Sequence, residues 1–185
     1  MDIARWQPDT RRRLQEAAME LFAQHGYEST TAKQIAEHAG LTERTFFRHF
    51  GDKREALFGT ETALTEAMTA AIAAAPPAAA PLELIDLALR AGSAQMQPRR
   101  AFLRRFTTLV DTHPALLERE LIKQRTMSTT LATTFADRGL EPVDSQLAAD
   151  LTIATLRIAF TQWLTRGERR ALEDIAADVL ARRPL

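Results

Sequence analysis

Apolar residues recur every three to four positions over most of this chain, and no stretch alternates strictly enough to predict a strand. Leu14, Ala17, Ala18, Leu21 and Phe22 form one stripe, on a helix expected to begin near Pro8, a good first-turn residue, and to run to about His25. Residues 1–7 read as a short polar arm and residues 26–30 as a loop. The run from Thr31 to Phe50, TAKQIAEHAGLTERTFFRHF, predicts two short helices around a tight turn. Thr31 is a good N-cap and Gln34 stands at the third helical position after it, which makes a capping box. Ile35, Ala36 and Ala39 follow at helical spacing, and Gly40 fits the left-handed residue that ends a helix. Leu41 is an apolar plug between the two helices. Thr42 caps the second, whose buried face carries Phe46 and Phe50 one turn apart. Glu43, Arg44, Phe47, Arg48 and His49 are left for its other faces. Two arginines, a histidine and a capping threonine on the outside of a short helix suit entry into a major groove. An ordinary helical hairpin with solvated charges shares each of these features singly.

After the stop and new cap at Gly51-Asp52, a fourth helix is expected over 53–75, with Leu57, Phe58, Leu64 and Met68 on its apolar face. At 1.5 Å per residue its length of about 22 residues spans roughly 33 Å, enough to lead from a small N-terminal head into a second domain. Pro76-Pro77 ends it, and APPAAAP reads as a short stiff linker. Further helices are expected over about 81–97, 98–112, 114–137, 142–166 and 168–182. His113-Pro114 is a breaker, because the residue before proline avoids helical angles. The 142–166 helix is apolar on more than one stripe, which predicts a partner on the second. The fold class is therefore all-α: a helix-turn-helix domain over 1–52 and a helical domain over 53–185.

Charge complicates the picture. The chain has 24 basic and 24 acidic residues, and residues 1–60 hold nine of each, so binding to nucleic acid by bulk charge is excluded. Segregation on one surface is required instead. Arg11, Arg12 and Arg13 at the start of the first helix, Lys33 on the second, Arg44 and Arg48 on the third and Lys53 beyond it permit this, with Glu16, Glu20 and Glu37 facing away. The absence of cysteine excludes disulfides, thiol catalysis and Cys-based zinc sites. No two histidines share the i, i+4 spacing of a metal helix, and neither a Gly-rich phosphate loop nor a G-x-S-x-G run occurs. No metal, cofactor or catalytic residue is predicted, and the chain is not expected to be an enzyme. The N-terminus lacks the apolar core of a signal peptide, and AMTAAIAAA is too short to span a membrane. A cytoplasmic protein without a membrane partner is expected.

The run LQEAAMELFAQHGYESTTAKQIAEHAGLTERTFFRHFGDKREALF resembles the DNA-binding domain of TetR-family transcriptional regulators, over roughly residues 8 to 60. The resemblance implies that Thr31, Thr45, His49, Lys53 and Thr42 face phosphates. It implies that Lys33 reaches the groove edge and that Glu43, Arg44 and Arg48 face bases. Phe47 departs from the family, which commonly has a tyrosine there whose hydroxyl bonds a phosphate; that contact is not carried over. In the second domain the resemblance implies a ligand cavity, for which Met68, Phe102, Phe106, Met127, Leu131 and Phe135 are the candidates. It also implies a four-helix dimer interface, for which Ile153, Phe160, Leu164, Ile175 and Val179 are the candidates. Arg99, Arg100, Arg104 and Arg105 form a basic patch, read as a solvated face or salt-bridge partners, or else as pocket arginines for an acidic ligand. The function implied is a homodimeric repressor on a palindromic double-stranded operator, released by a hydrophobic or aromatic small molecule. The rivals are a DNA-binding regulator without a ligand, and a helical interaction or enzyme module with an incidental hairpin.

Overall fold

The structure, a computed structural model, describes residues 7–58 and 61–182, and no strand occurs among them. The helices are α1 (Gln7–His25), α2 (Ala32–His38), α3 (Glu43–His49), α4 (Glu55–Phe58), α5 (Glu61–Ala73), α6 (Pro81–Met96), α7 (Arg100–Thr112), α8 (Pro114–Asp137), α9 (Pro142–Leu164) and α10 (Leu172–Ala181). They fall into two compact units, the first of residues 1–60 with 105–117, the second of 61–104 with 118–185.

The first unit is built on the helical periodicity read from the sequence. Leu14, Met19, Phe22, Ile35, Phe46, Phe50 and Leu57 are fully buried, and the rings of Phe46 and Phe50 lie 5.5 Å apart. Gly26, at φ 82°, ends α1 in a conformation that a Cβ disfavours. That turn sends Tyr27 back onto Phe22, ring centroids 5.1 Å apart. The same unit takes in 105–117, although the sequence pattern assigned everything after residue 52 to the second domain. Phe106 stands edge-on to Phe58 at 5.2 Å, and Tyr27 meets the His113 ring at 5.8 Å. The apolar periodicity of α7 announces that Phe106, Leu109 and Val110 are covered; it carries no information about which helix covers them.

The second unit closes around Met68, Ile72, Leu84, Leu131, Phe135, Trp163, Leu172 and Ile175, contributed by α5, α6, α8, α9 and α10. The α5–α6 contact is close at Gly92, where an added Cβ would meet the Met68 sulfur at 3.2 Å. Arg100 fastens the end of α9. Its guanidinium donates to the Trp163 and Glu168 carbonyls (2.7 Å to the latter) and lies over the Trp163 ring at 5.1 Å. The helix expected over 53–75 is helical over Glu55–Phe58 and Glu61–Ala73, with residues 59–60 outside the described residues. The last helix starts at Leu172 rather than near 168. The Glu168 carboxylate accepts from the backbone N–H of Arg169 and Arg170 and pairs with the Arg170 guanidinium, which organises a turn there. Those bonds from Arg170 hold the Glu168 carboxyl down at about 2.

Candidate nucleic-acid interface

The two-helix motif forms as its sequence dictates. The Thr31 hydroxyl accepts from the Gln34 N–H at 3.2 Å while the Gln34 side chain accepts from the Thr31 N–H at 2.8 Å, completing the capping box. Gly40 sits at φ 66°, and the chain turns there with the Leu41 N–H returning to the Ala36 carbonyl at 2.8 Å. The Thr42 hydroxyl accepts from the Thr45 N–H at 3.2 Å, and the two hydroxyls are 2.9 Å apart. Asp52 caps the next turn through the Glu55 N–H at 2.9 Å. Burial alone would raise the Asp52 carboxyl, but that bond and the Arg54 guanidinium outweigh it and hold the carboxyl below its ordinary range.

At 100° per residue, burying Phe46 and Phe50 puts Arg44 and Arg48 on the opposite side of α3 and Phe47 on the flank beside them; these three, and Glu43 in the first turn, are all exposed. No hydrogen bond or ion pair engages Arg44 or Arg48 among the described residues, so two guanidinium forks stand ready for an external acceptor. Lys33 is exposed on α2, loosely paired with Glu37 at 3.9 Å. Thr31 and Thr42 stand exposed at the two helix starts, and Thr45 is half-buried beside Thr42. His49 is half-buried, with its Nε2 enclosed and unpartnered among the described residues. Burial, then the neighbouring Arg48 and Arg11 charges, push its imidazole below the ordinary value, so it is neutral near pH 7.

Three of the expected cations have other work. Lys53 donates to the carbonyls of Tyr27 at 2.7 Å, Thr30 at 3.1 Å and Glu28 at 3.2 Å, and its ammonium lies over the Tyr27 ring at 4.3 Å. All three of its protons are thereby used, so its geometry is that of an internal strap, not of a free phosphate ligand. Arg13 donates to the Ala39 carbonyl at the end of α2, and the Arg11 guanidinium rests on the Phe50 ring at 4.8 Å. No signal in the sequence separates these pegs from Arg44 and Arg48, because each partner lies far along the chain. Sequence reasoning also set Phe47 aside, yet it occupies the middle of the exposed face.

Of the candidate cavity residues, Met68, Met127, Leu131 and Phe135 are buried together in the second unit. Phe106 packs on Phe58 in the first, while Phe102 is half-buried under the Arg99 guanidinium at 4.5 Å. The candidate interface residues divide as well. Ile175 is fully buried inside the second unit, and Ile153, Phe160, Leu164 and Val179 are half-buried against its core. Of the basic patch, Arg100 is spent on carbonyls. No group of three or more metal-ligating side chains occurs among the described residues, nor any helix long and apolar enough to cross a membrane.

A capped two-helix turn with a fork-bearing second helix, mounted on a third helix and followed by a separate helical unit, defines a helix-turn-helix DNA-binding transcriptional regulator. The comparisons agree. The sequence profile of the bacterial regulatory proteins of the tetR family matches residues 14–59. The chain is 31% identical over 169 residues to the HTH-type transcriptional regulator TcmR of Streptomyces glaucescens, covering 86% of this chain and 75% of that one. It therefore belongs to the TetR family. The fold is also that of FadR from Bacillus subtilis in complex with stearoyl-CoA, with TM-score 0.65 and 20% identity over 92% of this chain and 95% of that one. Thermus thermophilus FadR, a TetR-family repressor in complex with lauroyl-CoA, superposes with TM-score 0.56 and 21% identity over 92% and 91%.

Proposed function

We propose that this protein is a homodimeric repressor that reads a palindromic operator with Arg44 and Arg48 and leaves it when an apolar small molecule enters the second unit. The observation that carries the DNA-reading part is that both guanidinium groups on the outer side of α3 are exposed and, among the described residues, unpaired. An arginine can fork onto guanine O6 and N7, and Glu43 can accept from cytosine N4. Lys33 and the Thr31 and Thr42 hydroxyls stand at positions suited to phosphates.

Dimerisation finds support on α9. Burial of Ala148, Thr152, Thr155, Ala159 and Trp163 leaves Val143, Leu147 and Ile158 on the far side, 72%, 63% and 47% exposed, with Leu151 and Ala154 half-buried between them. Spacings of four, four, three and four residues make this a continuous seam of the kind that meets its own copy. It replaces the half-buried flank of Ile153, Phe160 and Leu164 as the surface for a partner.

For the ligand, a groove of about 330 Å³ opens between α5 and α8, with Met127 between Glu66, Thr69, Lys123, Thr126 and Thr130. The hydroxyls of Thr69, Thr126 and Thr130 donate to carbonyls of their own helices, and Lys123 pairs with Glu120 at 3.0 Å. What remains is mostly methyl groups, beside the Glu66 carboxylate and the side chains of Thr62 and Thr65, which suit an apolar body carrying a polar group. The fatty-acyl thioesters held by the two FadR proteins are in keeping with an apolar ligand. Chain leaving the first unit enters α5 directly, so a ligand that wedges α5 from α8 favours one arrangement over another by its differential affinity alone.

The test is selection of bound duplexes from a random pool, followed by titration of the winner against salt. A two-fold symmetric sequence is expected, with half-sites about 34–36 Å apart or at a multiple of that spacing. Arg44→Ala or Arg48→Ala should cost about 1–3 kcal/mol and relax preference at one base pair per half-site. Recovery of no duplex, or of asymmetric sequences only, rejects the reading.

A further inference from the structure

The outer side of α3 presents Glu43, Arg44, Phe47 and Arg48, and among residues 10–58 Phe47 is the one large hydrophobic side chain that is exposed. It is 52% exposed, and it stands between Glu43 and the two free arginines on the helix surface. Its ring is not loose. It stands edge-on to the buried Phe46, centroids 5.4 Å apart and planes at 86°, which holds it in a fixed direction away from the core. An aromatic ring kept half in water on an otherwise charged face is unfavourable for the free protein, so its partner should be apolar and should lie where the arginines reach. A phenylalanine has no hydroxyl to offer a phosphate. Along the base edges of the major groove, the apolar feature is the C5-methyl group of thymine, and phenylalanine is among the side chains suited to meet it.

We propose that Phe47 is a specificity-determining residue that reads the C5-methyl of one thymine in each half-site, close to the bases read by Arg44 and Arg48. This rests on the operator-reading assignment made above for α3. The two arginines then supply polar discrimination, and Phe47 supplies a shape requirement that hydrogen bonding alone cannot impose.

The experiment uses the intact protein and the duplex it selects from a random pool. Each thymine of a half-site is replaced in turn by uracil, which removes the methyl and leaves pairing and every polar edge unchanged. One thymine should be sensitive. Loss of one buried carbon corresponds to roughly fourfold weaker binding per half-site and about fifteenfold when both half-sites are changed. In Phe47→Ala the same uracil replacement should have no effect, with salt lowered until both duplexes bind measurably. Phe47→Leu should retain a reduced thymine preference. Since Phe47 lies outside the core, thermal unfolding of both variants should match the parent protein, which separates lost reading from lost folding. Indifference of the parent protein to every uracil, or a thymine preference that survives Phe47→Ala, overturns the proposal while leaving the operator reading intact. Failure of the parent protein to select any duplex overturns both.

Discussion

Single side chains in the first unit show how much a charge depends on its neighbours. Lys53 has three carbonyls within 2.7–3.2 Å and a tyrosine face beneath it. Hydrogen bonds to a charged group are typically worth about 1.5–3 kcal/mol. Lys53→Met keeps the stem over Tyr27 and removes those bonds. It should therefore loosen residues 27–30 and destabilise the first unit by about that amount, read as faster hydrogen exchange at those amides. The salt slope of operator binding should stay the same; a slope reduced by about one would assign Lys53 to a phosphate instead. His49 makes a second case. Burial, aided by Arg48 and Arg11, lowers its folded pKa beneath the unfolded value near 6.5. A base depressed in this way stabilises the fold fully above about 6.5, and that contribution is lost as pH falls through the lower folded value. Between pH 7 and 5 the parent protein should lose more stability than His49→Gln, measured by urea unfolding; identical losses would mean that His49 does not titrate differently in the folded state.

Helices and their contacts set the next scale. The close approach of α5 and α6 is specified by Gly92, which is buried and has Met68 and Leu64 where a side chain would go. Alanine there would meet the Met68 sulfur at 3.2 Å, tighter than ordinary contact, though a thioether can shift by a few tenths of an ångström. A branched residue has no such escape. Gly92→Val should cost about 1–3 kcal/mol by overpacking, and Gly92→Ala much less. Equal melting temperatures for Gly92→Val and the parent would show that α5 and α6 do not need this spacing. The wall of the proposed ligand groove is α5 itself, so Gly92→Val should also alter ligand binding without touching the groove.

For the molecule as a whole, the proposed dimer rests on the outer seam of α9. Exposed Val143, Leu147 and Ile158 are costly in a monomer and natural in a pair. Leu147→Glu places a charge in the middle of that seam and should convert the proposed dimer to monomer in sedimentation, while Phe160→Glu, on the half-buried flank, should first destabilise the second unit. A monomeric Leu147→Glu protein should lose most operator affinity, because one head reads one half-site. A Leu147→Glu protein with unchanged dimer mass would place the interface elsewhere. The proposed ligand control belongs at this scale too: a coupling of about 1–3 kcal/mol would change operator affinity roughly 5–150-fold, and operator would then weaken ligand binding by the same factor.

What the sequence by itself determined are features whose partners lie within one or two turns. The Thr31–Gln34 capping box, the left-handed Gly40, the Thr42 cap and the burial of Phe46 and Phe50 all appear as read, because caps and helical periodicity act between residues three or four apart. The same locality made the exposed face of α3, and with it the residues proposed to read DNA, legible before any fold was known. Only the tertiary structure decided matters that depend on residues distant along the chain. It turned Lys53 into a strap over a loop 23–26 residues away, and it spent Arg100 on carbonyls 63 and 68 residues away. It also gave Phe106 to the first unit and Ile175 to the core of the second. Periodicity states that a face is covered, but the identity of its cover is settled by packing, where volume and direction decide between apolar partners that look alike in one dimension.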